Sequence, residues 1–450
     1  MLVTLQKFCQ LLTLLLAVLY LYQVFYVVVS LLLRKRSGYG PAKRQHRYAA
    51  VVCARNEEGV IGEVIDCLRD QNYPAHLLDV YVVADNCTDR TAKVAAVHGA
   101  RVYERFDSVK VGKGWAMDWL FRRLADEGLA EDYEGYLIFD ADNLVDRNFV
   151  SEMNAVFDTG KYDAITCYRN SKNYASNWIS AGYSLWFLRE ARFLNFPRMQ
   201  LGTGCAVSGT GYLISSRVIR EEGGWPFHLL TEDIEFSVDC AVKGRKIGYC
   251  DKAVIYDEQP TGFAQSWHQR MRWSKGIYQV AGRYWWTLLK GCITRRGGRF
   301  ACFDMLMTVA PGMLLSLAIF GFQVFIIFSG LTQPLAVSAR VFTQTLQFLG
   351  QNALSFYISL LLYGGVTLIS EWGQIAAPAW RKAALLVLFP LFMLTYIPIS
   401  LAALFCRVEW KPIRHHSSAA LNGRARAYPR PQPVPERAER APWENRTRKP

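Results

Sequence analysis

The sequence predicts an α/β domain inserted between transmembrane helices. From about residue 48 onward, short apolar strands alternate with helical patterns, which is typical of a largely parallel sheet covered by helices. On both sides of this region the chain has windows of about 20 almost wholly apolar residues. Such windows are long enough to cross a hydrocarbon layer of about 30 Å.

Charge and cysteine usage favour a domain on the cytosolic face of a membrane. The chain has 450 residues and a formal net charge of +14, with basic clusters beside apolar segments and near the C-terminus. That placement predicts contact with membrane lipids and no binding of nucleic acid. The eleven cysteines contain no Cys-x-x-Cys pair and no zinc-ligand spacing, which predicts reduced thiols.

The first predicted element is a transmembrane helix in the region 1–36. Residues 11–33 carry no charge and are followed directly by Arg34-Lys35-Arg36. This apolar run is too long for a signal peptide. The basic triplet predicts that its C-terminal end lies in the cytosol. We therefore expect an integral membrane protein, of a bacterial plasma membrane, whose domain 37–275 is cytosolic.

Three apolar strands are predicted in that domain, each ending in polar residues. They are Tyr48–Ala54, residues 80–84 and residues 136–139, and a helix is predicted over residues 88–97. Ligands of parallel sheets gather at the carboxyl ends of the strands. Asp85 and Asp140 fall there. Asp89 is the better candidate to cap the following helix, which leaves Asp85 for ligand contact.

The last part of the chain predicts membrane elements and a basic tail. Trp285 and Trp286 indicate an amphipathic interfacial helix over residues 276–300. Region 301–406 has three apolar segments, 305–328, 354–369 and 384–405, and residues 407–450 predict disorder. Four spans would put the tail outside, whereas its arginines favour the inside. Either segment 384–405 is re-entrant or the tail breaks the charge rule.

One acidic motif and one basic motif suggest a site for phosphates. In an extended Asp140-Ala141-Asp142, both carboxylates would face one side and could hold Mg²⁺ or Mn²⁺ bridged by a diphosphate. Lys113 lies between Gly112 and Gly114, so the backbone could approach a phosphate closely. A turn or helix cap is the ordinary alternative for the first motif, and a surface loop for the second.

Two later motifs suggest sugar transfer. Of Glu232 and Asp233, one could be a general base while the other caps a helix, although a simple helix start would look the same. Arginines of Gln269-Arg270-Met271-Arg272-Trp273 could grip a diphosphate, and the indole could support a sugar ring. A membrane-interface anchor is the alternative. The order of all four motifs ahead of apolar segments favours a nucleotide-sugar site on a membrane.

The ordered set of motifs resembles the membrane-embedded family 2 glycosyltransferases, which include cellulose, chitin, hyaluronan and poly-N-acetylglucosamine synthases. The resemblance covers about residues 48–300. It rests on Ala54-Arg55-Asn56-Glu57, Asp85, Gly112-Lys113-Gly114, Asp140-Ala141-Asp142, Gly209-Thr210-Gly211, Thr231-Glu232-Asp233 and Gln269-Arg270-Met271-Arg272-Trp273.

The resemblance implies a GT-A (Rossmann-like) cytosolic domain, a UDP-sugar donor and a role for each matching residue. The implied donor contacts are Ala54, Glu57 and Asp85 on uridine, Lys113 and Asp140 on the nucleotide, and Gln269 and Arg272 on the diphosphate. Asp142, with Asp140, would hold Mg²⁺ or Mn²⁺. Asp233 would be the base, and the acceptor side would comprise Trp273, Cys205, Gly209 and Gly211. Trp410-Lys411-Pro412-Ile413 would be the counterpart of a gating loop.

These roles predict an inverting, metal-dependent hexosyltransferase. The favoured product is a β-linked polysaccharide, extended processively and coupled to secretion, because several apolar segments follow the Gln-x-x-Arg-Trp motif. One alternative is a single transfer to a membrane lipid carrier, and another is a non-catalytic scaffold with a degenerate domain. The acceptor is accordingly a growing glycan or a lipid. No motif identifies the sugar.

Overall fold

The computed structural model describes residues 2–33, 39–294, 298–309 and 311–408. Three predictions fall outside these residues. They concern the basic triplet Arg34-Lys35-Arg36, the segment Trp410-Lys411-Pro412-Ile413, and the tail beyond residue 408.

The centre of the described structure is one eight-stranded mixed sheet with the order β3-β2-β1-β4-β7-β6-β8-β5. Strands β1, β2, β3 and β4 are parallel to one another, and β6 and β8 form a second parallel pair. Strands β5 and β7 are antiparallel to their neighbours. The bounds are β1 Tyr48–Ala54, β2 Leu78–Asp85, β3 Arg101–Arg105, β4 Gly135–Asp140, β5 Leu144–Val145, β6 Ala164–Ser171, β7 Tyr212–Ser215 and β8 Ile247–Asp257.

The central strands are buried on both faces because helices cover both sides of the sheet. Successive side chains alternate between two hydrophobic cores, so that Val51 enters one core and Val52 the other. The core containing Val52 packs against α2 Ile61–Arg69, α3 Thr91–Val97 and α5 Phe149–Phe157. The opposite side holds α4 Lys113–Asp126, α6 Trp178–Glu190, α7 Phe196–Leu201, α8 Ser216–Glu222 and α9 Glu232–Lys243.

The predicted α/β class and the three predicted strands are confirmed. The strands at residues 80–84 and 136–139 extend to Leu78–Asp85 and Gly135–Asp140. The helix predicted from residue 88 begins only at Thr91. Asp89 accepts hydrogen bonds from the Thr91 backbone at 3.0 Å and from its hydroxyl. Asp89 therefore stabilises the turn that precedes α3, but Arg90 occupies the cap position and no side chain caps the helix, so the expected capping role was wrong.

Seven further helices precede or follow the sheet-containing part of the described chain. They are α1 Leu2–Leu32, α10 Phe263–Thr294, α11 Arg299–Val309, α12 Pro311–Leu331, α13 Leu335–Ser370, α14 Ala379–Leu394 and α15 Tyr396–Phe405. By length and composition, three stretches could cross a membrane: Thr4–Leu32, Leu335–Ser370 and Ala379–Phe405. A shorter apolar helix covers Ser316–Leu331.

The boundaries of the predicted membrane segments differ from those of the helices. Segment 305–328 is divided between α11 and α12, and segment 354–369 is the second half of the 36-residue α13. Segment 384–405 is interrupted at Thr395, near Pro390 and Pro398, because prolines remove backbone donors from a helix. The boundary expected at residue 275 lies inside α10, so the expected interfacial helix continues the one bearing Gln269 to Trp273.

A buried ion pair between α7 and α11 also binds two tyrosine hydroxyls of α1. The Arg198 guanidinium donates to both carboxylate oxygens of Asp304, at 2.7 and 2.8 Å. The hydroxyls of Tyr22 and Tyr26 on α1 donate to the same carboxylate. Neither charged side chain is more than 2% exposed. The fully bonded geometry compensates the desolvation of both charges and fixes α1 against α7 and α11.

Loss of the Asp304 carboxylate should strongly destabilise the protein. In Asp304→Ala the Arg198 charge stays buried without a counter-charge, a change that typically costs about 3–5 kcal/mol. Thermal unfolding of the purified full chain in an uncharged detergent measures the effect. Replacing both partners, as in Arg198→Met with Asp304→Leu, should recover most of the loss. Glu131→Ala, which breaks the exposed Arg220–Glu131 pair, is the control. Equal melting temperatures for both single variants would contradict this role.

Candidate active site

The carboxyl ends of β1 and β2 bring Ala54, Glu57 and Asp85 to one edge of the sheet. The loop after β1 is fixed because Asn56 has a positive φ of 58° and its side chain accepts from the Thr88 backbone at 2.8 Å. The Glu57 backbone donates to the Thr91 hydroxyl. Asp85 is buried against the Arg105 guanidinium at the end of β3. Burial raises the pKa of Asp85, and the Arg105 contact opposes that rise.

Lys113 begins α4 and points at the end of β4. Its ammonium contacts the Asp140 carboxylate and donates to the Gly209 carbonyl oxygen at 2.6 Å. Burial alone would lower the pKa of Lys113, but the Asp140 and Glu232 carboxylates hold it above its ordinary value. Lys113 is therefore a fixed cation between the first half of the sheet and the loop that contains Gly209.

Asp140 and Asp142 do not lie on one extended strand as expected. Strand β4 ends at Asp140, and the chain turns at Ala141 and Asp142. Asn143 stabilises the turn, because its side-chain oxygen accepts from the Asp140 backbone at 3.1 Å. The Asp142 carboxylate is 6% exposed and accepts from the Glu258 backbone at 2.9 Å. A turn thus separates Asp140 from Asp142, and Asp142 is held against the end of β8.

The residues at this turn fit a divalent cation. Burial raises the pKa of Asp257, and the neighbouring Asp142 carboxylate raises it further, while Arg169 lowers it. The Oδ1 atom of Asp257 is buried without a hydrogen bond from any described residue. A hard cation near Asp142 would relieve this concentration of negative charge. No three metal-binding side chains converge within the described ranges, so the protein would supply Asp140 and Asp142 and a diphosphate the other oxygens.

Glu232 and Asp233 occupy the first turn of α9, where backbone amides favour negative charge. Burial and the neighbouring Asp233 raise the pKa of Glu232 to about 7. Burial also raises the pKa of Asp233, whereas Lys113, Arg272 and Arg169 oppose the rise. A carboxylate whose pKa is raised toward neutral pH suits a general base, because its unprotonated form is then more basic than that of an ordinary carboxylate.

The loop at Gly209 brings Asp233 close to Arg169. A Cβ atom built on Gly209 would lie 3.7 Å from Asp233 Oδ2 and 3.9 Å from Arg169 Nη1. Gly209 has a φ of 78°, which a residue with a side chain rarely adopts. Arg169 donates to the Ser208 carbonyl at 2.8 Å, contacts Asp257, and lies 3.7 Å from the centre of the Phe187 ring. A glycine here keeps the space in front of Asp233 open.

Helix α10 carries Gln269, Arg272 and Trp273 at a spacing that puts them on one face. Arg272 donates to the Leu230 carbonyl at 3.3 Å and is near enough to lower the pKa of both Glu232 and Asp233. The side-chain oxygen of Gln269 is buried without a hydrogen bond from the described residues. The helix therefore places a cation and an unsatisfied amide beside the acidic pair.

Trp273 faces aromatic residues of α6. Its ring contacts Tyr183 and Phe187 edge-on, at centroid distances of 5.6 and 6.2 Å. Gly211, with a φ of 66°, packs so closely on β6 that an added Cβ would be 2.4 Å from Cys167 Sγ. Cys205 was expected to line the acceptor side. It is 3% exposed, and its thiol donates to the Asn195 carbonyl oxygen at 3.3 Å.

Four charged residues of the site were not identified from the sequence. Arg105, Arg169 and Asp257 are polar residues at the ends of apolar strands, a signal that was available. Glu190 ends α6, and its carboxylate accepts from the Ser208 hydroxyl at 3.2 Å. Burial raises the pKa of Glu190, and the Asp233 charge adds to that rise, so Glu190 is a further buried carboxyl near Asp233.

Comparison with known proteins identifies relatives of this arrangement. The family model described as "Glycosyltransferase like family 2" matches residues 46–276. A beta-monoglucosyldiacylglycerol synthase of Synechocystis is 25% identical over 240 residues, which are 52% of this chain and 48% of that protein. A poly-beta-1,6-N-acetyl-D-glucosamine synthase of Staphylococcus epidermidis is 22% identical over 237 residues, or 52% and 55%. The chain thus spans about half the length of these relatives.

The architecture also matches a solved structure. The mannosyltransferase PcManGT from Pyrobaculum calidifontis, determined in complex with GDP-Man and Mn²⁺, superposes with a TM-score of 0.55 at 15% identity. The match covers 89% of this chain and 99% of that one. With the family match, this likeness confirms the expected GT-A fold with a helical C-terminal region.

Removal of the Glu232 charge should move the pH dependence of the reaction. In Glu232→Gln the carboxyl whose pKa the Asp233 charge raises to about 7 is removed, so the acid limb of kcat/KM should lose the step that Glu232 contributes, follow Asp233 alone and lie at lower pH. Initial rates between about pH 5 and 9 measure the shift. Glu235→Gln changes a buried carboxyl on the same helix that pairs with Arg283, and should leave the limb in place. An identical acid limb in wild type and Glu232→Gln would contradict the coupling.

Proposed function

The chain belongs to the glycosyltransferase-like family 2, and on this premise we propose that it transfers a hexosyl group from a UDP-sugar, with inversion, at the cytosolic face of a membrane. The observation that carries the proposal is the acidic pair Glu232 and Asp233, buried at a helix start between Lys113, Arg169 and Arg272. These cations suit a diphosphate, and the raised carboxyl pKa suits a base.

The proposed reaction divides the site between a leaving group and a nucleophile. Asp233 takes the proton from the acceptor hydroxyl while that oxygen forms a bond to the anomeric carbon. The bond from this carbon to the diphosphate oxygen breaks on the opposite face, which inverts the configuration. UDP leaves with the bonding electrons. Lys113, Gln269 and Arg272 then contact the diphosphate, and the positive charges of Lys113 and Arg272 offset the negative charge that develops there.

We propose that Ala54, Glu57 and Asp85 hold the uridine, because they lie together at the ends of β1 and β2. Asp140 and Asp142 would hold Mg²⁺ or Mn²⁺, which supplies electrostatic stabilisation of the leaving diphosphate when bound. PcManGT was determined with GDP-Man and Mn²⁺, a relationship that supports a cation of this type. Trp273, Gly209 and Gly211 define the acceptor side, with Asp233 between donor and acceptor.

Two acceptors fit the proposed chemistry. A growing β-linked polysaccharide, extended processively and passed through the membrane, fits the Gln-x-x-Arg-Trp motif followed by candidate spans. It also fits the similarity to poly-N-acetylglucosamine synthase. A single transfer to a membrane lipid is favoured by the similarity to beta-monoglucosyldiacylglycerol synthases. In both cases, the plasma membrane of a bacterium would present the acceptor.

Product length distinguishes these acceptors. Membranes containing the full chain would be incubated with labelled UDP-glucose or UDP-N-acetylglucosamine. A polysaccharide synthase should give label of high molecular mass that is insoluble in organic solvent. A lipid transferase should give an organic-soluble product with one sugar. Membranes with Asp233→Asn are the control for background incorporation. Absence of Asp233-dependent transfer from either donor would contradict the hexosyltransferase assignment made for UDP-sugars.

The base and the aromatic platform should fail in different ways. Asp233→Asn should retain donor binding and lose about 10²–10⁴ in both donor hydrolysis and transfer, because both need the base. Trp273→Ala should still bind the donor and should still hydrolyse it slowly, since water needs no aromatic platform. It should lose transfer to the acceptor.

Donor affinity would be measured beside UDP release and sugar incorporation. Trp186→Ala, which changes a tryptophan on α6 outside the assigned site, controls for general loss of an aromatic residue. Equal loss of hydrolysis and transfer in Trp273→Ala would contradict the division, as would loss of donor binding in either variant.

A further inference from the structure

A cavity of about 220 Å³ lies away from the residues assigned to transfer. It is bounded by strands β6 and β8, by Arg192 in the π-helical turn Ala191–Asn195, and by Glu371 and Gln374 after α13. A water molecule takes about 30 Å³ in the liquid, so the cavity has the volume of about seven waters. It is therefore large enough for a small polar group.

A bulge in β8 shapes one wall of the cavity. Cys167 pairs with Cys250, but the next residue of β6, Tyr168, pairs with Val254. Asp251, Lys252 and Ala253 consequently have no partner residue on β6. Bulges of this kind redirect side chains, and both Asp251 and Lys252 line the cavity. The Lys252 side chain is exposed and forms no salt bridge with any described carboxylate.

Glu371 and Arg192 lie side by side in the wall of the cavity, each held by hydrogen bonds. Glu371 is 1% exposed, accepts from the Tyr168 hydroxyl at 2.6 Å and lies 3.6 Å from Arg192 Nε. Arg192 also donates to the Ser30 carbonyl at 2.7 Å, one of the last carbonyls of α1. The two charges in this wall compensate each other, so a ligand there need carry no net charge. Lys252 at the side offers a cation for an anionic group.

The cavity adjoins the ends of two candidate membrane spans. Ser30 is near the end of Thr4–Leu32, and Glu371 directly follows Leu335–Ser370. Apolar side chains at these ends are unusually open, since Leu32 and Ile369 are each 76% exposed. Beside them begin the polar groups of the cavity. This change from apolar to polar surface is where the headgroups of a membrane would lie.

We propose that this cavity binds the headgroup of a membrane phospholipid whose terminal group donates hydrogen bonds, an ethanolamine or glycerol phosphoester. Lys252 contacts the phosphate, and the ammonium or hydroxyl donors of the headgroup reach Asp251 and Glu371. The acyl chains run along the open apolar surface at Leu32 and Ile369. The proposal rests on the proposed membrane location but concerns a site separate from sugar transfer.

The test is lipid binding to the full chain in an uncharged detergent, measured by native mass spectrometry. Titrations would use dioleoyl phosphatidylethanolamine, phosphatidylglycerol, phosphatidylcholine and diacylglycerol. The first two should bind about tenfold more weakly to Lys252→Gln than to wild type, because one charge-assisted hydrogen bond is lost. Lys246→Gln removes an equal charge at an exposed position just before β8, outside the cavity, and should bind as wild type does.

Each other outcome would overturn the proposal. If lipid binds equally to wild type and to Lys252→Gln, Lys252 does not contact the phosphate. If Lys246→Gln weakens lipid binding as much as Lys252→Gln does, the effect is one of general charge. Binding of phosphatidylcholine or diacylglycerol as strong as that of phosphatidylethanolamine excludes recognition of donors or phosphate. Displacement by inorganic phosphate as effective as by lipid indicates a free-phosphate site. Sugar transfer, measured on the same samples, tests the proposed function separately, because none of these residues touches Asp233.

Discussion

The catalytic end of the sheet depends on compensation of buried charge. Asp85 is kept against Arg105, Lys113 against Asp140, and Arg169 against Asp257. An isolated ion in such surroundings would cost several kcal/mol, so each of these groups needs a partner before any substrate arrives. The site is thereby organised in advance. In the proposed reaction, a nucleoside diphosphate would exchange contacts with cations that already have fixed positions, so little side-chain freedom would be lost.

Buried charge is compensated differently where the site joins the C-terminal helices. Arg270 is completely buried, yet no carboxylate in the described residues pairs with it. Its guanidinium donates to the Phe392 carbonyl at 3.1 Å and the Thr395 hydroxyl at 2.6 Å, at the break between α14 and α15. The Phe392 ring also faces this cation, 4.4 Å away. The broken helix thus supplies two acceptors to Nη1 of the buried arginine, while Nη2 has no partner among the described residues.

The sequence predicted local features well and charge pairing poorly. Strands β1, β2 and β4 were identifiable because apolar runs end in polar residues. The partners of Asp85 and Asp233 were not, since Arg105 and Arg169 approach them only through strand order. The extended Asp140–Asp142 geometry was wrong, and the turn that is the ordinary alternative for this motif is present, stabilised by Asn143 and Thr210. The burial of Cys205 was not predicted, because burial within a glycine-rich stretch depends on tertiary packing.

Helix α10 makes the catalytic half of the chain dependent on the C-terminal helices. Its 32 residues carry Gln269 and Arg272 near one end, while Ser274 and Tyr278 bond to Ser400 further along. A chain truncated after residue 276, where the family match ends, would lack Phe392, Thr395 and Ser400. Arg270 would then lose its acceptors, and the apolar surface that α15 covers would meet water. Soluble expression of the catalytic half alone therefore requires redesign of this helix as well as removal of the apolar segments.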